Sequence, residues 1–194
     1  MRRKTFDALL TTGGLVVAVV LLVAGGLLTW GSQFVGDQVR TQLTAQKIMF
    51  PAAGSKGLQD PAVGPYLNRY AGQQLTTGTQ AQAYADHFIA VHLNEMTGGK
   101  TYSELATQAQ AAPTDTALAA KVNTVFKGET LRGLLLNAYA FGTMARIASI
   151  AAIVAFTGAG VMLLLSGLGL LHLRRTPAAS ELLVPGWHPA SSTV

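Results

Sequence analysis

The sequence predicts an all-α membrane protein in which two transmembrane helices flank a small helical domain. Hydrophobic residues make up 49 % of the 194 residues and charged residues only 12 %, whereas an average soluble domain carries roughly 25 % charge. One uncharged apolar run lies near each end of the chain. The residues between the two runs show helical periodicity and helix-capping patterns, with little of the alternation that is typical of strands.

The first apolar run lies between Asp7 and Asp37, where no charged side chain occurs. A helix needs roughly 20 apolar residues to cross a bilayer, and this run supplies them. Trp30, near its end, suits the membrane–water interface. A cleavable signal peptide is the alternative, but apolar residues continue beyond its small-residue site at 23–25. We therefore predict transmembrane helix 1 at residues 8–31.

The second apolar run lies between Arg146 and Arg174 and predicts transmembrane helix 2 at residues 146–173. Its small residues recur at spacings of four, three and four, so that they share one face. Such a face lets another helix approach closely. We expect it to pack against the first helix, with a different membrane protein as the alternative. The predicted packing residues are Ala148, Ala152, Ala155, Gly158 and Ala159.

Lysine and arginine near the two spans predict the orientation. Basic residues precede the first span and follow the second, and such residues stay on the cytoplasmic side. The chain is thus predicted to be a multi-pass protein of the plasma membrane. Residues 1–7 and a disordered tail, 174–194, would be cytoplasmic, and a helical domain at 32–145 would lie outside. The predicted membrane-interface residues are Arg3, Lys4, Trp30, Arg132, Arg146, Arg174 and Arg175.

Helix boundaries can be predicted within the extracytoplasmic domain. The first helix is expected to continue outward and to end before Pro51. A T-x-x-Q capping box at Thr79–Gln82 and a T-x-x-E box at Thr101–Glu104 predict two helix starts. Pro113 and Thr114 introduce a last helix, which is expected to run directly into the second span.

A group of metal-ligand residue types lies in the segment Asp86–Glu95, which contains two histidines and two acids. In an α-helix, His87 and His92 lie about 140° apart around the axis, so they do not share a face as two ligands on one helix must. We expect His87 to face solvent and His92 to lie at the core edge with a hydrogen-bond partner. The sequence predicts no metal site, no cofactor and no catalytic residue.

Other motifs for chemistry or binding are incomplete. The run T-G-G-K-T at 97–101 resembles a phosphate loop, but Asn94 occupies the position of the required earlier glycine. A helix stop followed by a new cap explains it better. The chain has no cysteine, which excludes disulfides and thiol nucleophiles. Its basic residues are scattered rather than concentrated in a patch, which argues against a nucleic-acid partner.

Two segments carry a resemblance to a known group. YLNRYAGQQLTTGTQAQAYADHFIAVHLNEMTGGKTYSEL and ETLRGLLLNAYAFGTMARIASIAAIVAF resemble a family of uncharacterised actinobacterial two-span membrane proteins, from Met1 to about Arg175. Chains of this kind sometimes carry names that suggest an aromatic-ring-opening dioxygenase. That iron chemistry needs two histidines and a carboxylate on one face of the metal, a set that these residues do not provide. The resemblance implies a topology and a host group, and no residue-level function.

The sequence therefore favours a non-enzymatic integral membrane protein. Its expected role is that of an accessory or scaffolding subunit whose helical domain binds a membrane or cell-envelope protein. A ligand-binding or sensor module is the alternative, because helices between two spans can transmit a small displacement. A metal-dependent enzyme built around His92 and Glu95 is a third hypothesis.

Overall fold

The computed structural model describes residues 3–175, which form an all-α fold, as predicted. Within this range no strand occurs, although Met49 and Gln74 form an isolated antiparallel bridge. A 3-10 turn, Asn68–Tyr70, follows the third helix, and a π-helical turn, Ala85–Ile89, joins the fourth to the fifth. The helices are α1 (Arg3–Gln46), α2 (Lys56–Gln59), α3 (Gly64–Leu67), α4 (Gly78–Tyr84), α5 (Ala90–Thr97), α6 (Tyr102–Ala111) and α7 (Thr116–Arg175).

The two long helices follow the sequence prediction. Helix α1 continues past its apolar run and ends at Gln46, before Pro51. Helix α7 starts shortly after Pro113 and continues without a break through the second apolar run. Both are long and apolar enough to cross a membrane, with mean hydropathies of 2.4 and 2.3 over their most apolar windows. From residue 176 onward, the tail that was predicted to be disordered lies outside the described residues.

The contacts divide the chain into two compact units. Unit 1 comprises the residues up to Trp30 and those from Ala148 onward, and unit 2 is Gly31–Ile147. Unit 1 therefore holds the apolar runs of α1 and α7. Unit 2 holds the remaining parts of these two helices together with all the shorter elements.

In unit 1 the two helices pack antiparallel through small residues. A Cβ atom placed on Gly14 would lie 2.5 Å from Ser166 Oγ, and one on Gly169 would lie 2.5 Å from Thr11 Oγ1. Further along, a Cβ on Gly25 would come within 2.9 Å of the Phe156 ring. A larger side chain at any of these glycines would require the facing side chain to move, so the glycines permit the close approach.

The outer surface of unit 1 is apolar. Leu10 and Leu164 are 68 % and 71 % exposed, and most other large apolar side chains of the two runs are exposed as well. Soluble proteins rarely leave an apolar surface of this extent open to water, whereas lipid-facing helices require one. Near the chain ends of this unit, His172 Nε2 lies 4.0 Å from Asp7 Oδ2.

Unit 2 is built around a hydrophobic core to which both long helices contribute. Leu43 of α1 and Leu135 of α7 are buried against side chains from α2 to α4, among which Leu67 and Leu75 are fully enclosed. Burying a side chain of this size contributes roughly 1.5–3 kcal/mol. A second cluster joins α5, α6 and α7, and its buried members are Leu93, Leu105 and Val125.

Of the two predicted capping boxes, one is confirmed and one is wrong by two residues. Thr101 caps α6, and Glu104 completes the box by accepting hydrogen bonds from the backbone and side chain of Thr101. These bonds lower the pKa of the Glu104 carboxyl. The other box is formed by Thr77 and Gln80, not by Thr79 and Gln82.

The T-G-G-K-T segment has the structural role expected of it. Gly98 adopts a left-handed conformation with φ 64° and ends α5, a backbone geometry that glycine accepts without steric cost. Gly99 also has a positive φ, and Thr101 then caps the next helix. The segment is a helix stop followed by a helix start.

Candidate functional site

A polar cleft in unit 2 is a large concave site built from residues that are distant in the chain. It encloses about 670 Å³ and is open on one side. One wall comes from α1, a second from the segment that leads into α4, and a third from α7. We call it the polar cleft, and its lining residues are Gly36, Asp37, Val39, Arg40, Thr76, Thr77, Gly78, Thr79, Gln82, Tyr139, Gly142, Thr143 and Arg146.

Two glycines set the floor of the polar cleft. A Cβ on Gly78 would lie 3.0 Å from the Ala138 carbonyl oxygen and 3.1 Å from Tyr139 Cα. A Cβ on Gly142 would lie 3.4 Å from Gly78 Cα. The start of α4 thus rests directly on the backbone of α7. Glycine suits this position because any larger residue would press its Cβ against backbone atoms of α7.

Gln80 holds the second wall in place from beneath. Its side chain is 7 % exposed, and its Oε1 accepts hydrogen bonds from the backbone nitrogens of Thr76 at 2.8 Å and Thr77 at 3.1 Å. The hydroxyls of the same two threonines also donate to Oε1. On the other side, Gln80 Nε2 donates to Gln73 Oε1 at 3.3 Å. A buried amide bonded in this way fixes the backbone of the cleft wall.

The charges in the polar cleft come from three exposed side chains. Arg40 and Asp37 project from α1, and Arg146 projects from α7. None of the three forms an ion pair with another described residue. Two guanidinium groups and one carboxylate leave the cleft with a net charge of +1. The cleft can therefore bind an anionic group through charged donors without first breaking an internal ion pair.

A second surface, the apolar groove, runs between α1 and α7 within unit 2. It consists of two adjoining hollows of about 310 and 230 Å³. Leu134 and Phe141 of α7 line it and are 61 % and 53 % exposed. Its lining residues are Phe34, Val35, Gln38, Val39, Gln42, Leu43, Gln46, Leu131, Leu134, Leu135, Asn137, Ala138 and Phe141.

The π-helical turn changes the expected positions of the histidine segment. His87 lies within the turn, is half-buried, and stacks on Tyr66 with ring centroids 3.5 Å apart. The prediction that His87 faces solvent is therefore wrong. A π turn inserts a residue into the helix and shifts the phase of all that follows, so an unbroken α-helical wheel misplaces the side chains. In the same turn, Asp86 pairs with Arg132 at 3.5 Å.

His92 is exposed rather than buried at the core edge. It does have a hydrogen-bond partner, because its Nδ1 lies 2.7 Å from the Phe88 carbonyl oxygen and donates to it. Its ring also lies 4.4 Å from the Phe88 ring, centroid to centroid. Among residues 3–175 no group of three or more histidine, aspartate or glutamate side chains is placed to hold a metal ion.

The predicted packing residues all lie in unit 1. Ala152, Ala155 and Ala159 are buried, with at most 7 % exposed, and Ala148 is half-buried. A Cβ on Gly158 would lie 3.3 Å from Leu21 Cδ1 of α1. The small-residue face of α7 is thus turned toward α1 within this unit.

The predicted interface residues are in several settings. Trp30 is 67 % exposed, and Arg3 and Lys4 belong to the first turn of α1. Arg174 and Arg175 are exposed at the end of α7. In unit 2, Arg146 is an exposed lining residue of the polar cleft, and Arg132 is bound to Asp86 and to Glu129. The guanidinium of Arg132 is therefore engaged within the protein.

Sequence reasoning missed Arg40, Asp37 and the 76–79 segment as parts of one site. The three walls of the polar cleft are far apart in the chain, and no motif links them. One signal was available, because Thr77-Gly78-Thr79-Gln80 also matches a T-x-x-Q box. This match predicts a helix that starts at Gly78, directly after Thr76 and Thr77.

Comparison with protein-family models, with curated proteins and with solved structures finds no match to this chain. The resemblance to the actinobacterial two-span family stays a prediction.

Proposed function

We propose that this chain is a non-enzymatic membrane protein that crosses the bilayer twice and uses unit 2 to bind a membrane or cell-envelope protein. In this proposal unit 2 lies outside the cytoplasm and both chain ends lie inside. The protein acts as an accessory or scaffolding subunit. The observation that carries the proposal is the apolar groove, because it exposes large apolar side chains outside the predicted spans.

Membrane insertion is supported by the exterior of unit 1. Two uncharged runs, each longer than the roughly 20 residues that a bilayer requires, expose most of their leucines and valines. The orientation is supported by the basic residues at the ends of the spans, Arg3 and Lys4 before the first and Arg174 and Arg175 after the second. Unit 2, between the spans, then faces away from the cytoplasm.

Protein binding is supported by the chemistry of the apolar groove. Phe141 and Leu134 offer apolar area, while amide side chains such as Gln38, Gln42 and Asn137 border them. Exposed aromatic and leucine side chains beside neutral polar groups are typical of the centre and rim of a protein interface. A groove between two helices fits an apolar helix of a partner. Since both walls continue into the predicted spans, we expect a partner that is itself membrane-bound.

A matched pair of phenylalanines tests the groove. Phe141 and Phe126 both belong to α7 and are both 53 % exposed, but they are separated by about 22 Å of helix, and Phe126 does not line the groove. We expect a photo-crosslinking phenylalanine analogue at position 141 to capture one discrete protein in native membranes. The analogue at position 126 should capture none.

The same pair is used for co-purification from mild detergent. Phe141→Asp should reduce recovery of the crosslinked partner by about tenfold or more, as expected for an interface hot spot. Phe126→Asp should leave recovery unchanged. Equal capture at both positions, or a chain that purifies alone from several gentle detergents, would contradict the proposal.

A second candidate function, ligand binding, is favoured by one observation, the polar cleft with its two arginines free of ion pairs to described residues. A bound anion would join α1, α4 and α7, the helices that line the cleft. Binding there could change the spacing of α1 and α7 and so reach the spans.

A further inference from the structure

We propose that the polar cleft binds a phosphodiester group, held mainly by Arg40 and Arg146. This site shares only Val39 with the apolar groove, and the proposal does not depend on a protein partner. The chemistry that recognises the ligand is common to a phospholipid headgroup and to a water-soluble phosphodiester. Titration with one ligand of each kind distinguishes these two sources.

The two arginines supply the main attraction. Arg40 and Arg146 line the same cleft from α1 and α7, and neither is neutralised by a carboxylate of the described residues. A guanidinium group presents several donors in a planar fork that matches two oxygens of a phosphate. Because the arginines come from different helices, one phosphate could bind both guanidinium groups.

Hydroxyl groups add neutral donors around the same space. Thr79, Thr143 and Tyr139 line the cleft, and their hydroxyls form no hydrogen bond with another residue in the range 3–175. The hydroxyls of Thr76 and Thr77 already donate to Gln80. Phosphate oxygens accept bonds from such hydroxyls. The cleft thus combines charged and neutral donors, the combination that an oxyanion requires.

The third charged residue selects the kind of phosphate. Asp37 lines the cleft with the arginines and reduces its net charge to +1. A phosphodiester carries one negative charge, which this cleft balances. A phosphomonoester carries nearly two at neutral pH, so its second charge would be unbalanced and would be repelled by the Asp37 carboxylate. The charge set therefore favours a diester.

The position of Arg146 in the chain favours a lipid as the source of the phosphodiester. It is the last charged residue before the second apolar run, and basic side chains at that position commonly reach lipid headgroups. Tyr139 lies three residues before Gly142 in α7, and its aromatic ring with a polar hydroxyl suits the same interfacial region.

Calorimetric titration of the full chain in detergent tests the proposal. The phosphate ligands are dihexanoyl phosphatidylglycerol, glycerophosphoglycerol as the soluble diester and glycerol 3-phosphate as the monoester. Dihexanoylglycerol is the phosphate-free control. The double variant Arg40→Gln/Arg146→Gln should raise the Kd for the phosphate ligands by at least about tenfold. The control Lys121→Gln/Lys127→Gln loses the same charge from exposed positions of α7 outside the cleft and should bind as the native chain does.

Each outcome decides between the sources or overturns the proposal. Arginine-dependent binding of phosphatidylglycerol alone identifies a lipid site, and comparable binding of glycerophosphoglycerol identifies a site for the free diester. If the native chain binds neither ligand, or if the arginine variant binds as tightly as the native chain, the proposal is wrong. Tighter binding of glycerol 3-phosphate than of the diester would overturn the selection by Asp37. None of these results bears on partner capture at Phe141.

Discussion

Gly78→Val is expected to lower the free energy of unfolding of unit 2 by about 2 kcal/mol or more. The new side chain would begin 3.0 Å from the Ala138 carbonyl oxygen and 3.1 Å from Tyr139 Cα. Both are backbone atoms, so no rotamer change can make room, and α4 must move away from α7. Overpacking of a close contact typically costs 1–3 kcal/mol. Thermal unfolding of the full chain in detergent, followed by circular dichroism, measures the loss.

Gly133→Val is the matched control. Gly133 is an exposed residue of α7, and a Cβ placed there would have no neighbouring atom within 4 Å. Valine is a somewhat better helix former than glycine, so this variant should unfold at the native temperature or slightly above. A Gly78→Val protein as stable as the control would show that α4 does not rest on the α7 backbone. The assignment of Gly78 to the floor of the polar cleft would then be wrong.

Disulfide cross-linking between α1 and α7 in unit 1 should be nearly complete with a cysteine at position 14 of α1 and absent with one at position 13. The Cβ atoms of a Gly14→Cys/Ser166→Cys pair would lie 3.8 Å apart, within the 3.5–4.5 Å that a disulfide requires. The native chain has no cysteine, so every cross-link reports the introduced pair. A specific protease site between Gly98 and Gly99 would let the two halves of the chain be separated. After oxidation and cleavage, the halves should migrate together until they are reduced.

Moving the first cysteine by one residue provides the control. A Cβ on Gly13 has no neighbour from the rest of the protein within 4 Å, so Gly13→Cys/Ser166→Cys should give separate halves. The same experiment tests the alternative that the small-residue face of α7 packs against another protein. Cross-links between two chains in place of the intramolecular disulfide, or equal yields from both pairs, would contradict the packing of unit 1.

The parts of the fold that local patterns determine were predictable from the sequence. The two long uncharged runs predict long helices, because so many consecutive apolar residues are typical of a membrane-spanning helix. The box at Thr101–Glu104 and the glycines at 98–99 specify a helix start and a helix stop through their own hydrogen bonds and backbone conformation. In each case the residues that decide the structure are neighbours in the chain.

The features that sequence reasoning missed depend on contacts between distant residues. Two overlapping T-x-x-Q patterns were available, and the choice of Thr77 over Thr79 follows from the packing of Gly78 on α7. The π turn at Ala85–Ile89 leaves no pattern in the sequence, yet it reorients His87 onto Tyr66. The polar cleft likewise brings together Arg40 and Arg146, which only the tertiary fold relates.

The labelling of single cysteines with a membrane-impermeant maleimide tests the two-span topology most directly. Ser103→Cys lies on an exposed position of α6. Thr5→Cys lies near the first residue of α1, and Arg175→Cys is the last residue of α7. In intact cells, the proposed topology predicts labelling of Ser103→Cys alone, with the other two reacting only after permeabilisation. Labelling of the two end positions in intact cells, with Ser103→Cys protected, would contradict the account.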